Sequence, residues 1–178
     1  VREEGNEEEV YKIELLMKQA KLTKEMRRTV PAANERAAAL HSPAAAMELN
    51  DGRIVTGKTS NLLGASAALI LNAVKLLAGI PHDVHLIAPY AIEPIQKLKV
   101  DYLGSKNPRL HTDEVLIALS VSAAMDKNAQ LALENLSKLK GCQVHTSVML
   151  SDVDIKVFSK LGINLTCEPV YEHKKLYH

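Results

Sequence analysis

The chain has 178 residues, of which 24% are charged, and a formal net charge of +1 at neutral pH. This length allows one α/β domain with a small helical appendage, but not two domains of ordinary size. The balanced charge, the single Phe and the absence of Trp predict no nucleic-acid partner. Two cysteines, Cys142 and Cys167, favour reduced thiols and a cytoplasmic location over a disulfide framework.

The first 45 residues predict a helical lead-in. Residues 1–10, VREEGNEEEV, contain no initiator Met, which favours a piece of a longer protein. They also lack the succession of basic, apolar and small residues that is typical of a secretory signal. From Val10 to Met26 the apolar residues recur near helical spacing, as in an amphipathic helix. The Ala-rich segment 31–47 also favours helix, which Pro43 should end or kink.

A β-hairpin is predicted between residues 46 and 58. Residues 50–52, Asn-Asp-Gly, have the composition of a tight turn, and three β-branched residues follow at 54–56. Residues 60–79, SNLLGASAALILNAVKLLAG, then predict a buried helix that ends at its last glycine. Asn72 and Lys75 interrupt this apolar run, so we expect no membrane span.

The remaining sequence alternates strand and helix patterns. VHLIAP, residues 84–89, predicts a short buried strand, and a more solvated helix that Gly104 closes follows it. A buried helix after Thr112 and an amphipathic helix ended by Gly141 come next. The last elements are the strand CQVHTSVML, the helix DVDIKVFSKLG capped by Ser151, the strand INLTCEP and a basic tail, YEHKKLYH. This order predicts crossover units, with helices on both faces of a sheet.

GRIVTGKT, residues 52–59, fits the phosphate-binding loop pattern G-x-x-x-x-G-K-[ST]. A working loop needs a buried strand before it and a backbone whose N–H groups turn inward. Here β-branched residues occupy the loop and resist positive φ, and the preceding MELND is polar and turn-like. We therefore interpret the match as two unrelated glycines, and a nucleotide-dependent enzyme is only the second alternative.

Two polar stretches are candidate anion sites. Lys58, Thr59 and Ser60 lie ahead of a predicted helix, whose first N–H groups attract anions. A second loop leads into the next helix and contributes the candidates Ser105, Lys106, Asn107, Arg109, His111 and Thr112. At both stretches the alternative is an ordinary helix cap with solvated cations.

No metal site, cofactor or catalytic constellation is predicted. His82 and His85 are three residues apart, as are Cys142 and His145, and in a strand an odd separation places side chains on opposite faces. The zinc deaminase signature is absent, and no nucleophile lies in a GxSxG elbow. The sequence therefore leaves open whether the chain is an enzyme and names no reaction.

Four runs, DGRIVTGKTS, LGSKNPRLHTDEVLIALS, KLGINLTCEP and the terminal KKLYH, resemble the C-terminal part of the bacterial uncharacterised protein family 0371. Family members are much longer, so the resemblance implies a fragment that lacks an N-terminal half. It also implies a three-layer α/β/α sandwich of cytidine-deaminase-like topology over residues 46–178, preceded by a helical subdomain over residues 1–45. Some members carry an ATP-dependent peptidase label, but this chain shows no peptidase constellation, and the family offers no catalytic residues to transfer.

Together these patterns predict a cytoplasmic bacterial domain that binds a small anion or a metabolite. The alternative is a structural or oligomerisation domain, because the helices predicted at 62–78 and 115–125 are apolar almost all round. On either reading we expect a homo-oligomer. The ligand-binding and the structural hypotheses differ in whether the two helices are buried within one chain or only by a second copy.

Overall fold

The structure, a computed structural model, describes residues 4–172. Within that range the chain forms seven α-helices and a four-stranded sheet, so its class is mixed α/β. The elements in chain order are α1 Glu4–Gln19, α2 Thr29–Leu40, β1 Ala44–Glu48, β2 Ile54–Lys58, α3 Ala65–Leu77, α4 Pro89–Lys97, α5 Thr112–Ala123, α6 Lys127–Glu134, β3 Gln143–Thr146, α7 Asp152–Lys160 and β4 Asn164–Cys167. The predicted basic tail lies outside the described residues from position 173 onward.

The sheet has the strand order β2-β1-β3-β4. β1 runs antiparallel to both β2 and β3, whereas β3 and β4 are parallel and are joined through α7. The predicted hairpin is confirmed: Gly52 has φ +82° in the turn, and Ile54 and Val55 lie opposite Glu48 and Met47. The predicted strand-helix-strand order at the end of the chain is confirmed as well.

The central strand β1 is buried on both faces, since all four side chains from Ala44 to Met47 are inaccessible to water. Successive side chains of a strand point to opposite faces, so both faces of the sheet are covered at this strand. α2 packs against β1 and β3, and α3 packs against β2 and β1. Among the described residues, no helix combines the length and the hydropathy of a membrane span.

Helix α3 is the centre of the core, as its sequence predicts. Leu69, Ile70 and Val74 are fully buried, while Leu77 at the end of the helix is partly exposed. The side chain of Ile117 in α5, in contrast, is 62% exposed, so the prediction of a buried helix after Thr112 is wrong for this face of α5. The reason is that α5 packs on α3, α6 and α7 with one face only, and an apolar sequence by itself does not supply a partner for the other face.

The strand predicted at residues 84–89 is also wrong. Residues 84–88 contain no strand, with a bend at Leu86 and Ile87, and α4 begins at Pro89. The consecutive side chains of Leu86 and Ile87 are both buried in the core, which a short loop segment can achieve without a neighbouring strand. The carbonyls of His82 and Val84 bond the Lys75 ammonium instead of a strand ladder.

Candidate functional site

The phosphate-loop pattern is built into the hairpin, and each of its glycines has a separate structural reason. Gly52 provides the positive φ of the turn and donates its N–H to the Leu49 carbonyl at 2.9 Å. Gly57 lies in β2, where a Cβ would come within 2.3 Å of the Leu69 nitrogen in α3. The Thr59 N–H bonds the Pro43 carbonyl at 2.9 Å. The pattern therefore reflects turn formation and close packing.

The first candidate anion stretch closes a turn of its own. The hydroxyl of Ser60 accepts hydrogen bonds from the Leu62 and Leu63 N–H groups, at 3.2 and 3.1 Å. Helix α3 starts only at Ala65, after Gly64 as its N-cap. Thr59 is buried, whereas Lys58 and Ser60 are exposed at the end of β2. Of this stretch, Lys58 is the charged group that solvent can reach.

The second candidate stretch is folded around its own side chains. Ser105 Oγ accepts from the Asn107 N–H at 3.2 Å, and Asn107 Oδ1 accepts from the Arg109 N–H at 3.1 Å. The guanidinium of Arg109 forms an ion pair with Glu172, with 2.6 Å between Nη1 and Oε1. Lys106 is exposed. The Arg109 guanidinium is therefore already paired with a carboxylate of the same chain.

Backbone hydrogen bonds place the second candidate stretch beside residues 62–64, which follow the first. The Leu110 N–H donates to the Leu62 carbonyl at 2.9 Å, and the Gly64 N–H donates to the Leu110 carbonyl at 3.2 Å. Leu63 and Leu110 thereby form an isolated parallel bridge. The Leu110 and Gly64 N–H groups are therefore used within the fold.

The N-terminus of α5 does hold an anion, and that anion is the side chain of Asp154 from α7. Its Oδ1 accepts from the Thr112 N–H at 2.9 Å and from the Thr112 hydroxyl at 2.8 Å. Its Oδ2 accepts from the Ser151 hydroxyl at 2.8 Å and lies 3.1 Å from His111 Nδ1. Asp154 is only 4% exposed. A helix N-terminus favours a negative charge, and here the charge fastens α7 to α5.

The same contacts shift two pKa values in opposite directions. Burial acts to raise the pKa of Asp154, but the hydrogen bonds from His111, Thr112 and Ser151 outweigh burial, and the pKa lies below its usual value. The hydrogen bond to Asp154 raises the pKa of His111. Ser151 and Asp154 both approach the same ring nitrogen, Nδ1. They therefore do not form a hydroxyl–imidazole–carboxylate relay, which uses both ring nitrogens.

Binding of an external anion by Lys106, Arg109 and the α5 N-terminus stays a prediction. Such a ligand has to displace the carboxylate of Glu172 or of Asp154, since both already occupy the donors.

A second basic region lies beside β2, and the sequence did not reveal it as a site. A cavity of about 480 Å³, which we call the basic cleft, opens between β2 and the C-terminal half of α3. Its lining is Arg36, Ile54, Val55, Thr56, Lys58, Asn72, Lys75, Leu76, Ile80 and His82. Every charged residue in this lining is basic. The basic cleft thus has the electrostatic character of an anion site.

Lys75 is the most constrained member of the basic cleft. The residue is 8% exposed, and its ammonium donates hydrogen bonds to the carbonyls of His82 and Val84. An ammonium has three protons, and the third has no acceptor in the part of the chain that the structure describes. Burial lowers the pKa of Lys75, although Asp83 nearby opposes the shift. Beside it, the amide of Asn72 donates to the Thr56 carbonyl at 2.9 Å.

The sequence contained a partial signal for this site. Asn72 and Lys75 are polar residues within an apolar helical run, and three-residue spacing places them on one face. These two polar residues argued against a membrane-spanning helix, and in the folded chain they line the basic cleft. Arg36 and His82 come from distant segments, so no local pattern connects them to Lys75.

Metal ligands are not clustered in residues 4–172: no group of three or more His, Cys, Asp or Glu side chains lies close enough to hold an ion. Cys142 is buried, Cys167 is partly exposed, and both are free thiols.

Comparison with known proteins identifies the family. Residues 25–177 match the family described as "Domain of unknown function DUF1846, C-terminal". The chain is 53% identical over 176 residues to a UPF0371 protein of Corynebacterium glutamicum (strain R), a match that covers 99% of this chain and 36% of that protein. It is 49% identical over 175 residues to the UPF0371 protein SpyM50764 of Streptococcus pyogenes serotype M5, covering 98% of this chain and 35% of the relative. The chain thus spans about a third of the length of these relatives and corresponds to their C-terminal part, and it belongs to the DUF1846 family, as its resemblance to protein family 0371 had indicated.

Proposed function

We propose that the basic cleft binds a small anion, such as the phosphate or carboxylate group of a metabolite. The observation that carries this proposal is Lys75, a buried ammonium that lines the cavity with one proton free of any acceptor in residues 4–172. A buried cation with a spare donor is costly unless a ligand or water completes its hydrogen bonds. An anion in the cleft supplies both the acceptor and the opposite charge.

The other basic residues define how the anion is held. Lys58 and Arg36 are exposed at the mouth, so they attract the ligand and complete its contacts from the solvent side. A guanidinium offers two parallel N–H donors to a phosphate or carboxylate, whereas an ammonium acts as a point charge. The proposal keeps Lys58 from the residues predicted by sequence and adds Arg36, Lys75 and His82.

Calorimetric titration with inorganic phosphate tests the proposal. The double variant Arg36→Gln, Lys58→Gln removes two surface charges without touching the buried Lys75, and we expect it to weaken binding at least tenfold. The matched control is Lys106→Gln with Arg109→Gln, which removes two charges from the other predicted site. Loss of binding in the control alone would overturn the proposal and support a site in the loop 105–112.

Oligomerisation is the second candidate function, and a specific observation favours it. Ile117, Val121 and Met125 follow one another at four-residue spacing along and just beyond α5, and they are 62%, 68% and 95% exposed. Their spacing places them on one helix face, which forms an apolar stripe. Burial of this stripe against a second copy of the chain would account for it. Light scattering of the wild type and of Ile117→Lys, Val121→Lys tests this, and a monomeric wild type at high concentration would exclude it.

The finer architecture is also proposed. We infer that the described helices and sheet belong to a three-layer α/β/α sandwich of cytidine-deaminase-like topology, with a subdomain boundary near residue 45. The burial of β1 on both faces supports a layered arrangement. The free thiols of Cys142 and Cys167 support a cytoplasmic location. An experimental structure of a full-length relative tests the topology and the boundary.

A further inference from the structure

A second cavity continues from the basic cleft and has a different character. This cavity, which we call the apolar groove, has a volume of about 360 Å³ and shares Lys58, Asn72, Lys75 and His82 with the basic cleft. Most of its remaining lining is apolar and comes from three segments: the turn before α3, α3 itself and the segment that leads into α4. Leu62, Leu71, Val84, Leu86, Ile87 and Ile92 are among these residues.

From this continuity we propose that the anion carries an apolar chain, so that the ligand class is an anionic amphiphile. Its charged head lies in the basic cleft and its chain lies in the apolar groove, with Lys75 at the junction. The inference rests on the proposed function, since it assigns the head to the same site. Ligand pockets of this size usually combine an apolar lining with a few convergent polar groups, as the two cavities do together.

The charge distribution supports one orientation of the ligand. No Asp or Glu lines either cavity within residues 4–172, and the basic residues of the apolar groove include the shared Lys58 and Lys75. A negative group placed among the leucines of the groove would lose its water without gaining a partner. The ligand's apolar chain, in contrast, leaves water when it contacts Leu71 and Ile87, so the ligand's charged head belongs at the basic end.

The segment that forms one wall of the groove is held in place by the same lysine. The Lys75 ammonium bonds the carbonyls of His82 and Val84, and Leu86 and Ile87 follow directly. The Lys75 side chain therefore contacts the site of the ligand's head and also positions the groove wall that contacts the ligand's apolar chain. A neutral substitution of Lys75 is expected to affect both, so it cannot separate binding of the head from binding of the apolar chain.

The experiment compares methyl phosphate with n-hexyl phosphate by calorimetry on the 178-residue chain. Each methylene that leaves water tightens binding about fourfold, so even partial burial of the hexyl chain gives at least about tenfold tighter binding. Leu71→Gln introduces a polar group into the groove and should abolish most of that gain while methyl phosphate binds as before. The matched control is Ile117→Gln on α5, where an exposed aliphatic side chain of the same size is replaced by the same amide.

The outcomes separate this inference from the proposed function. Equal affinity for the two phosphates would overturn the amphiphile and leave the anion site intact. Binding of neither phosphate would overturn both. A hexyl gain that persists in Leu71→Gln would place the chain outside the apolar groove, and hexanol binding as tightly as hexyl phosphate would show that the basic cleft does not recognise the head.

Discussion

Gly57 in β2 lies directly against the backbone of Leu69 in α3. A Cβ at position 57 would be 2.3 Å from the Leu69 nitrogen and 2.6 Å from the Ala65 carbonyl oxygen. No flexible side chain is available to yield, because both atoms belong to the helix backbone. The approach of α3 to the sheet therefore depends on the absence of a side chain at this position.

We expect Gly57→Ala to lower the free energy of unfolding by about 3 kcal/mol or more, at the upper end of the cost of overpacking, because α3 has to move. Gly64→Ala is the control: the nearest atom to its added Cβ, the Leu110 oxygen, is 3.7 Å away, and its φ is −68°. This variant should cost less than about 1 kcal/mol. Urea denaturation of both variants measures the difference, and similar stabilities would contradict the packing described for α3.

Leu69→Ala should cost about 2–5 kcal/mol, because the side chain is fully buried and its removal leaves a cavity. Ile117→Ala on α5 serves as the comparison, since its side chain is largely exposed and its loss should change stability by no more than about 0.5 kcal/mol. Thermal and chemical denaturation of the two variants provide the measurement. A large loss for Ile117→Ala would indicate that a second chain covers α5 in solution.

The ion pair between His111 and Asp154 predicts a dependence of stability on pH. The raised pKa of His111 means that the folded chain binds this proton more tightly than the unfolded chain does. The resulting stabilisation is complete below about pH 6.5, the ordinary histidine value, and is lost as the pH rises through the raised pKa. Asp154 stays ionised in this range, because its pKa is lowered.

Denaturation at a series of pH values from 6 to 9 measures this effect. The stability difference between the wild type and His111→Gln should shrink as the pH increases. His41→Gln, which removes an exposed imidazole at the end of α2, is the control for the change from histidine to glutamine. A constant difference for His111→Gln would mean that the imidazole acts through packing alone.

Asp154→Asn should lower the free energy of unfolding by about 1.5–3 kcal/mol, because the Thr112 N–H and hydroxyl and the Ser151 hydroxyl lose a charged acceptor. Asp152→Asn is the matched control in the same helical turn, and its exposed side chain should make it nearly neutral. Equal losses in the two variants would point to the α7 helix dipole as the main contribution, since both residues lie in its first turn.

Local chemistry made much of the fold predictable. The turn at residues 50–52, the end of α3 before Gly79 and the Ser151 cap are determined by a few neighbouring residues, and all three were confirmed. Helix α6 is shorter than predicted: it ends at Glu134, and a separate 3-10 turn, Leu136–Leu139, leads to Gly141. The other errors concern partners that no local pattern specifies. Leu86 and Ile87 are buried without a strand, and Ile117 is exposed in an apolar helix, because the tertiary neighbours decide burial.

The candidate site was less predictable for the same reason. The sequence indicated that an anion should lie at the start of α5, but it could not indicate that Asp154, 42 residues along from Thr112, would be that anion. Nor could it bring Arg36 and His82 to the side of Lys75. Charge and loop composition identify groups that can bind an anion, whereas the fold determines which of those groups are already used by contacts within the protein.

The position of β1 in the middle of the sheet has a consequence for synthesis of the chain. Ala45 pairs with Thr146, which is 101 residues later (146 − 45). At a translation rate of about 5–20 residues per second, the hairpin of β1 and β2 waits about 5–20 s for the strand that completes its other side. During that interval the apolar edge from Ala44 to Met47 is open to pairing with other nascent chains. Chaperone contact during translation is therefore expected to begin once this hairpin leaves the ribosome and to end when β3 follows it.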